Sequence, residues 1–335
     1  MSTVVLLFGG KSAEHLISCI SSVAVKAALE AGGHDVICVG IAQSGSWHLA
    51  EPSATGFDEA SPTVELRLPE GELIGPQGLI DFDVVFPVLH GPFGEDGTIQ
   101  GALEIAGIPY VGCGVLASAL AMEKDIAKRL VSAAGHPTAE WVIVRADDFS
   151  TDPARTVDRV TTALALPVFI KPVELGSSIG VTKAHAEGEV KDGIADALRF
   201  GDKVIVEEAI TGREIEVAVL EGPRASLPGE IVTATEWYDY DAKYTDETSR
   251  FVAPADLTDA EIAHVRDFAE RVFSEFECRG LARVDFFLEE GGRGFLFNEV
   301  NTMPGFTPIS GFPKMWEATG MSYEALCSEL VRLAR

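Results

Sequence analysis

Along the first third of the chain, uninterrupted apolar runs alternate with amphipathic stretches. Residues 3–8, TVVLLF, end in Gly9-Gly10, the pattern of a parallel strand buried on both faces and followed by a turn. A helix is expected from about Glu14 to Ala31, with Leu16, Val23, Ala27 and Ala28 near one face. DVICVGI (35–41) and DVVFPVL (83–89) read as further strands. Alternating β and α predicts an open α/β sheet up to about residue 120. The stretch 50–80, rich in Pro, Gly, Ser and Glu, reads as surface connection.

The pattern changes near Met122. A helix is expected through Lys124 to Ala134, then strands at 141–144 (WVIV), 167–171 (PVFIK) and 204–208 (VIVEE), the second followed by the loop ELGSSIG (174–180). From Ala209 onward the strand EIEVAVL (214–220) precedes a helix over 258–276. Thr258 and Glu261 stand at capping-box positions of that helix. Its apolar residues Ile262, Val265, Ala269, Val272, Phe273 and Phe276 keep the helical period. These shifts divide the chain into 1–121, 122–208 and 209–335. No internal repeat or low-complexity tract occurs.

Composition removes several function classes. A net charge of −26 over 335 residues argues against nucleic acid or an anionic membrane as partner. Five widely spaced cysteines without a C-x-x-C pair argue against a zinc site or a disulfide framework, and suit a reducing cytoplasm. The N-terminal apolar run is too short for a signal peptide, and no stretch approaches the ~18 apolar residues of a membrane span. A soluble cytoplasmic protein is the expectation.

The chemistry gathers in GLARVDFFLEEGGRGFLFNEVNT (280–302), two apolar-rich segments joined by a turn-forming EEGGRG, which reads as an antiparallel hairpin. A turn centred on Gly292 sets Asp285 opposite Glu299 and Arg283 opposite Asn301. By the period of two, Arg283, Asp285 and Phe287 share one face with Phe297, Glu299 and Asn301. Opposed carboxylates at ~5 Å repel by about 3 kcal/mol at an effective dielectric near 20. A hard divalent cation removes that repulsion, and two carboxylates with one carboxamide suit one or two Mg²⁺ ions on a nucleotide triphosphate. The other reading leaves these groups exposed, with Arg283 merely pairing Asp285. Lys124 opens a helix and Lys171 ends an apolar strand before Pro172. Each is either a phosphate ligand or a lysine snorkelling to solvent. GSSIG offers backbone N–H groups and hydroxyls to phosphates, and no Walker pattern G-x-x-x-x-G-K-[ST] occurs.

Taken in order, LFGGKSAEHLIS (7–18), LHGPFGEDGTIQG (89–101), PYVGCGVLASALAMEK (109–124), FIKPVELGSSIGV (169–181), YDYDAKY (238–244), GLARVDFFL and NEVNTMPGF make the chain resemble the D-alanine–D-alanine ligases of the ATP-grasp superfamily. The resemblance implies a three-domain α/β and α+β ATP-grasp fold: an N-terminal Rossmann-like substrate domain and two subdomains that grasp ATP. It implies Lys124 and Lys171 on the phosphates, with Ser178 in the capping loop and Lys243 at the γ-phosphate. Glu207 and the backbone near Ile210 would read adenine, and Glu214 the ribose. Asp285, Glu299 and Asn301 would ligate two Mg²⁺ ions, with Mn²⁺ as a substitute. Glu14 would anchor the first D-alanine's ammonium beside His90, linked to Ser177 and Tyr244 when the site closes. Arg283 and the Gly305 N–H would stabilise the oxyanion, and Ser310 would bind the acceptor carboxylate next to Gly311. A homodimer through the N-terminal domain is also implied.

Three positions depart from the family's common pattern: Leu175 before Gly-Ser-Ser, Glu208 where lysine is frequent, and Gly311 where a larger side chain lines the acceptor pocket. The last leaves room for a larger or more polar acceptor, unless loop motion or a repositioned Phe312 fills it. A D-alanine–D-serine ligase or another specialised D-amino-acid ligase is therefore the nearest alternative. Tyr244 resembles the dipeptide-forming enzymes rather than those that use D-lactate. A non-catalytic nucleotide or amino-acid binding protein is the alternative from another class, although FGGKSAEH is too loose for a G-x-G-x-x-G fingerprint.

Overall fold

The computed structural model describes residues 1–176, 180–232 and 250–334. The first apolar runs become a sheet of β1 (Thr3–Gly9), β2 (Asp35–Ile41), β3 (Trp47–Leu49) and β7 (Val84–Val88), ordered β3-β2-β1-β7. β1 pairs in parallel with both β2 and β7. Between β3 and β7, where surface connection was expected, the chain builds a three-stranded antiparallel sheet. Its strands are β4 (Glu65–Arg67), β5 (Glu72–Gly75) and β6 (Gly78–Ile80). Leu73 and Val64 are buried there with Leu66 and Ile80 against Val5, Leu7 and Val39. Polar composition hid a short sheet with one apolar face.

The helix α1 (His15–Ala31) corrects another expectation. Leu16, Val23 and Ala27 lie exposed on its outer side, whereas Ser18, Cys19, Ser21, Ser22, Val25, Ala28 and Leu29 face inward. Buried serines are tolerated because they bond locally: Ser18 Oγ donates to the Val88 carbonyl and Ser22 Oγ to the Ser18 carbonyl (2.9 Å). α2 (Thr98–Ile105) and α3 (Val115–Met122) complete this part of the chain.

α4 (Lys124–Ala133) leads into a fully antiparallel sheet of β8 (Trp141–Arg145), β9 (Val168–Pro172), β10 (Thr182–Ala184) and β11 (Lys203–Glu208), in the order β10-β9-β11-β8. α5 (Ala146–Thr151), α6 (Pro153–Ala163) and α7 (Glu187–Ala197) join it, and Val157, Val160, Val190 and Ile194 form its core with Val168, Ile170, Val204 and Val206.

The last sheet contains β12 (Arg213–Leu220), β13 (Arg224–Ala225), β14 (Gly229–Val232), β15 (Arg250–Val252), β16 (Leu281–Glu289) and β17 (Gly294–Asn301). α8 (Asp259–Glu275) covers it with Val265, Phe268, Ala269, Val272 and Phe273, and carries the expected capping box between Thr258 and Glu261. α9 (Gly311–Ala318) and α10 (Tyr323–Leu333) return to the first sheet, where Phe312, Met315, Leu326 and Leu330 are buried with Val4, Leu6, Phe8 and Leu29. That return brings the loop after β17 against the loop after β7.

Candidate functional site

The turn of the β16–β17 hairpin is centred half a residue earlier than expected, with Glu289 paired to Gly294, so the inner pairs sum to 583 rather than 584. A bulge between Asp285 and Phe286 then adds one residue, and beyond it Asp285 faces Glu299 and Arg283 faces Asn301 as expected. The bulge also reverses one assignment. Phe297 pairs with Phe286 and is buried beside Phe276 on the α8 side, not on the face of Glu299. Leu296, opposite Phe287, takes its place.

The acid pair does not await a metal to be tolerated, as the repulsion argument implied. Arg283 forks onto both Asp285 oxygens, Nε and Nη2 each at 2.7 Å, and lies 3.3 Å from Glu216. Asn301 Nδ2 donates to Asp285 Oδ2 (2.9 Å), and Lys124 Nζ lies 4.0 Å from Glu299. The pairing of Arg283 with Asp285 is thus present, and it coexists with a half-buried set of hard oxygen donors. Among the described residues no cluster of three or more His, Cys, Asp or Glu is arranged for a metal. Two carboxylates and a carboxamide fit Mg²⁺ that completes its shell with phosphate and water.

Lys124 Nζ donates to the Leu175 carbonyl (2.8 Å), tying α4 to the foot of the glycine-serine loop. Lys171 Nζ sits 2.6 Å from Glu207 Oε2, and Lys128 Nζ 2.8 Å from Glu207 Oε1. Burial alone would raise the Glu207 carboxyl, but the two ammonium groups hold it well below the usual range. Glu214 and Ile210 are half-buried on and just before β12. Glu208 accepts from Arg293 Nη1 (2.6 Å), so a carboxylate where lysine is frequent has its own arginine. Ser177, Ser178, Lys243 and Tyr244 lie outside the described residues.

On the facing wall, Glu14 stands just before α1, its Oε2 against the Gly91 backbone where any Cβ would collide. A Cβ on Gly176 would meet the same oxygen at 3.7 Å. His90 is buried, with Nδ1 3.0 Å from the Met303 carbonyl and Nε2 3.3 Å from Ser21 Oγ. The carbonyl fixes the proton on Nδ1. Burial lowers the pKa of His90 despite nearby Glu14, which keeps the ring neutral. Glu95, which sequence reasoning missed, accepts from Gly91 N (2.7 Å) and Met303 N (3.2 Å) and so joins the two loops. Burial and Glu14 push its carboxyl up to about 8. The available signal was an acid inside the glycine-rich turn GPFGEDG.

Past β17, a Cβ on Gly305 would lie 3.2 Å from Ser310 Oγ, which Thr307 N approaches at 3.1 Å. Gly311 opens no space. A Cβ there would lie 2.5 Å from Glu216 Oε2 and 2.9 Å from the Phe251 ring, which also covers Gly229. Glu216 and Phe251 fill that space, and Phe312 is fully buried against Phe306.

A family model described as D-ala D-ala ligase N-terminus matches residues 3–113, and one described as D-ala D-ala ligase C-terminus matches 130–332. The chain is 41% identical to the D-alanine–D-alanine ligase of Acetivibrio thermocellus, over 99% of this chain and 95% of that one. It is 44% identical to that of Mycobacterium tuberculosis, again over 99% and 95%. Among solved structures, the VanG D-Ala:D-Ser ligase from Enterococcus faecalis superposes with a TM-score of 0.87 at 34% identity, covering 99% of this chain and 98% of that one. The D-alanine–D-alanine ligase from Coxiella burnetii gives 0.85 at 33%, covering 99% and 93%.

Proposed function

The chain belongs to the D-alanine–D-alanine ligase family, and from that premise we propose how its cleft makes a dipeptide. It is an ATP-dependent, ADP-forming ligase of ATP-grasp fold that joins two D-alanines for cell-wall precursor synthesis. The observation that carries the reading is the bulged end of the hairpin, where Asp285, Glu299 and Asn301 meet Lys124 across a cleft that Lys171 and Glu207 continue.

Lys124, Lys171, Ser178 and Lys243 hold the phosphates, Glu207 and the Ile210 backbone take the adenine edge, and Glu214 takes the ribose. Two Mg²⁺ ions, with Mn²⁺ as a substitute, would sit on Asp285, Glu299 and Asn301 and neutralise the triphosphate. Glu14 orients the ammonium of the first D-alanine, next to the neutral His90. The carboxylate of that D-alanine attacks the γ-phosphorus, the bond to the bridging oxygen breaks so that ADP leaves, and a D-alanyl phosphate forms. The amine of the second D-alanine, held through its carboxylate by Ser310 beside Gly311, attacks the acyl carbon. The amine loses a proton, inorganic phosphate departs, and Arg283 with the Gly305 N–H holds the developing oxyanion. Ser177 and Tyr244 link to Glu14 and exclude water from the acyl phosphate.

We assign three units, 1–121, 122–208 and 209–335; the confinement of each large sheet to one range supports this. A cytoplasmic homodimer is the assembly we infer. Five free cysteines support the compartment, and exposed Leu16 (46%) and Val23 (43%) on α1 support an N-terminal contact. Mass spectrometry after incubation with ATP, Mg²⁺ and D-alanine, D-serine or D-lactate tests the reading. D-alanyl-D-alanine and ADP are expected. A depsipeptide product, or equal phosphate release without any D-amino acid, would refute it.

A further inference from the structure

In the nucleotide half of the cleft one carboxylate holds two cations. Glu207 and Lys128 side chains are only 5% and 1% exposed, and Lys171 closes on the second Glu207 oxygen. A lone carboxylate needs one counter-ion, so the triad carries a surplus positive charge before any phosphate arrives. The two lysines are not equivalent. Lys128 also donates to Thr138 Oγ1 (3.1 Å), which donates on to the Phe297 carbonyl (3.0 Å), and its ammonium lies 5.9 Å from the centre of the Trp141 ring. It is built into the junction of α4, β8 and β17. Lys171 stands near the end of β9, is 18% exposed, and feels Glu299 and Glu214 besides Glu207.

We propose that Lys128 is the permanent counter-ion of Glu207 and a positioning residue for nucleotide binding. It keeps this carboxylate ionised and fixed while Lys171 passes from Glu207 to the phosphates of ATP. The inference rests on the reading of Lys171 as a phosphate ligand. A buried carboxylate stripped of its only cation is strongly destabilising. Without Lys128, transfer of Lys171 to phosphate would strand Glu207; with Lys128 in place, every charge stays paired throughout. The sequence spacing serves this division. Lys124 and Lys128 stand one turn apart on α4, the first directed to the phosphate region and the second to the carboxylate.

Lys128→Met keeps the apolar stem and removes the charge. The Kd for a non-hydrolysable ATP analogue, measured by calorimetry with Mg²⁺ and no D-amino acid, should rise about tenfold or more, and the KM for ATP should follow. The kcat at saturating ATP and the KM for D-alanine should stay within about threefold, and Lys128→Arg should recover most of the affinity. If Lys128→Met does not fold, Lys128→Met/Glu207→Gln, which leaves no unpaired carboxylate, is compared with Glu207→Gln alone. The analogue's Kd should then be the same in both. A lowered melting temperature with unchanged analogue affinity, a matching loss in kcat and both KM values, or a further loss in the Glu207→Gln background would overturn the proposal. Wild-type protein that bound no analogue would instead overturn the ligase reading.

Discussion

Arg283→Met asks what holds two facing carboxylates together in the absence of a metal. Arg283 contributes two bonds of 2.7 Å to Asp285 and a third contact of 3.3 Å to Glu216, with its side chain 16% exposed. Methionine fills similar space and supplies no charge, so Asp285, Glu216 and the opposed Glu299 lose a shared cation. Breaking a buried pair by removing one partner costs about 3–5 kcal/mol, and the ~3 kcal/mol of Asp285–Glu299 repulsion is part of that figure. The unfolding free energy from urea titration, followed by circular dichroism in EDTA, should fall by that amount. The uncovered oxygens then become a cation site in the folded state alone. Mg²⁺ at roughly 100 times its Kd should restore about 2.7 kcal/mol. Without nucleotide, wild-type protein should respond far less, because Arg283 already neutralises Asp285 and no triphosphate is present to complete the Mg²⁺ shell. A loss under about 1 kcal/mol, or identical Mg²⁺ responses in the two proteins, would refute the claim that Arg283 neutralises the pair.

Two further outcomes follow from the same cleft. Gly311→Ala should cost about 1–3 kcal/mol and raise the acceptor KM, because its Cβ meets Glu216 and a Phe251 ring wedged over Gly229; an unchanged melting temperature and KM would show that the space is empty. Glu95, with its carboxyl at about 8 in the folded state against an ordinary 4.5, binds its proton more tightly folded than unfolded. Its stabilising contribution is therefore complete below pH ~4.5 and is lost as pH rises through about 8. Melting temperatures between roughly pH 6 and 9 should fall more steeply for wild type than for Glu95→Gln, and equal slopes would count against the raised pKa.

Much of the site was legible because its chemistry is encoded over short distances. The turn EEGGRG, flanked by alternating residues, set Asp285 opposite Glu299, and Thr258 with Glu261 announced the start of α8. Even so, the register came out right through two offsetting departures: a turn centred half a residue earlier than expected, and a bulge that restored the sum. Phe297 records the difference, since the same bulge carried it to the opposite face. The α1 helix misled for a different reason. Apolar periodicity marks a face that seeks cover, without saying whether this chain's own core or another surface provides it, and here the serines went inside.

By itself the sequence determined the long apolar strands, three of the helices, the hairpin with its carboxylates, and the family, because propensity, period and turn chemistry act between residues near one another. Tertiary structure alone decided which distant partner several acids receive. Lys171 and Lys128 converge on Glu207 from positions 36 and 79 residues away (207 − 171 and 207 − 128), Arg293 reaches Glu208, and Glu95 reaches Met303. It also decided that Phe251 covers Gly311. Charges and rings find partners by proximity in the folded chain, and in a cleft assembled from distant segments no local pattern records who the neighbour will be.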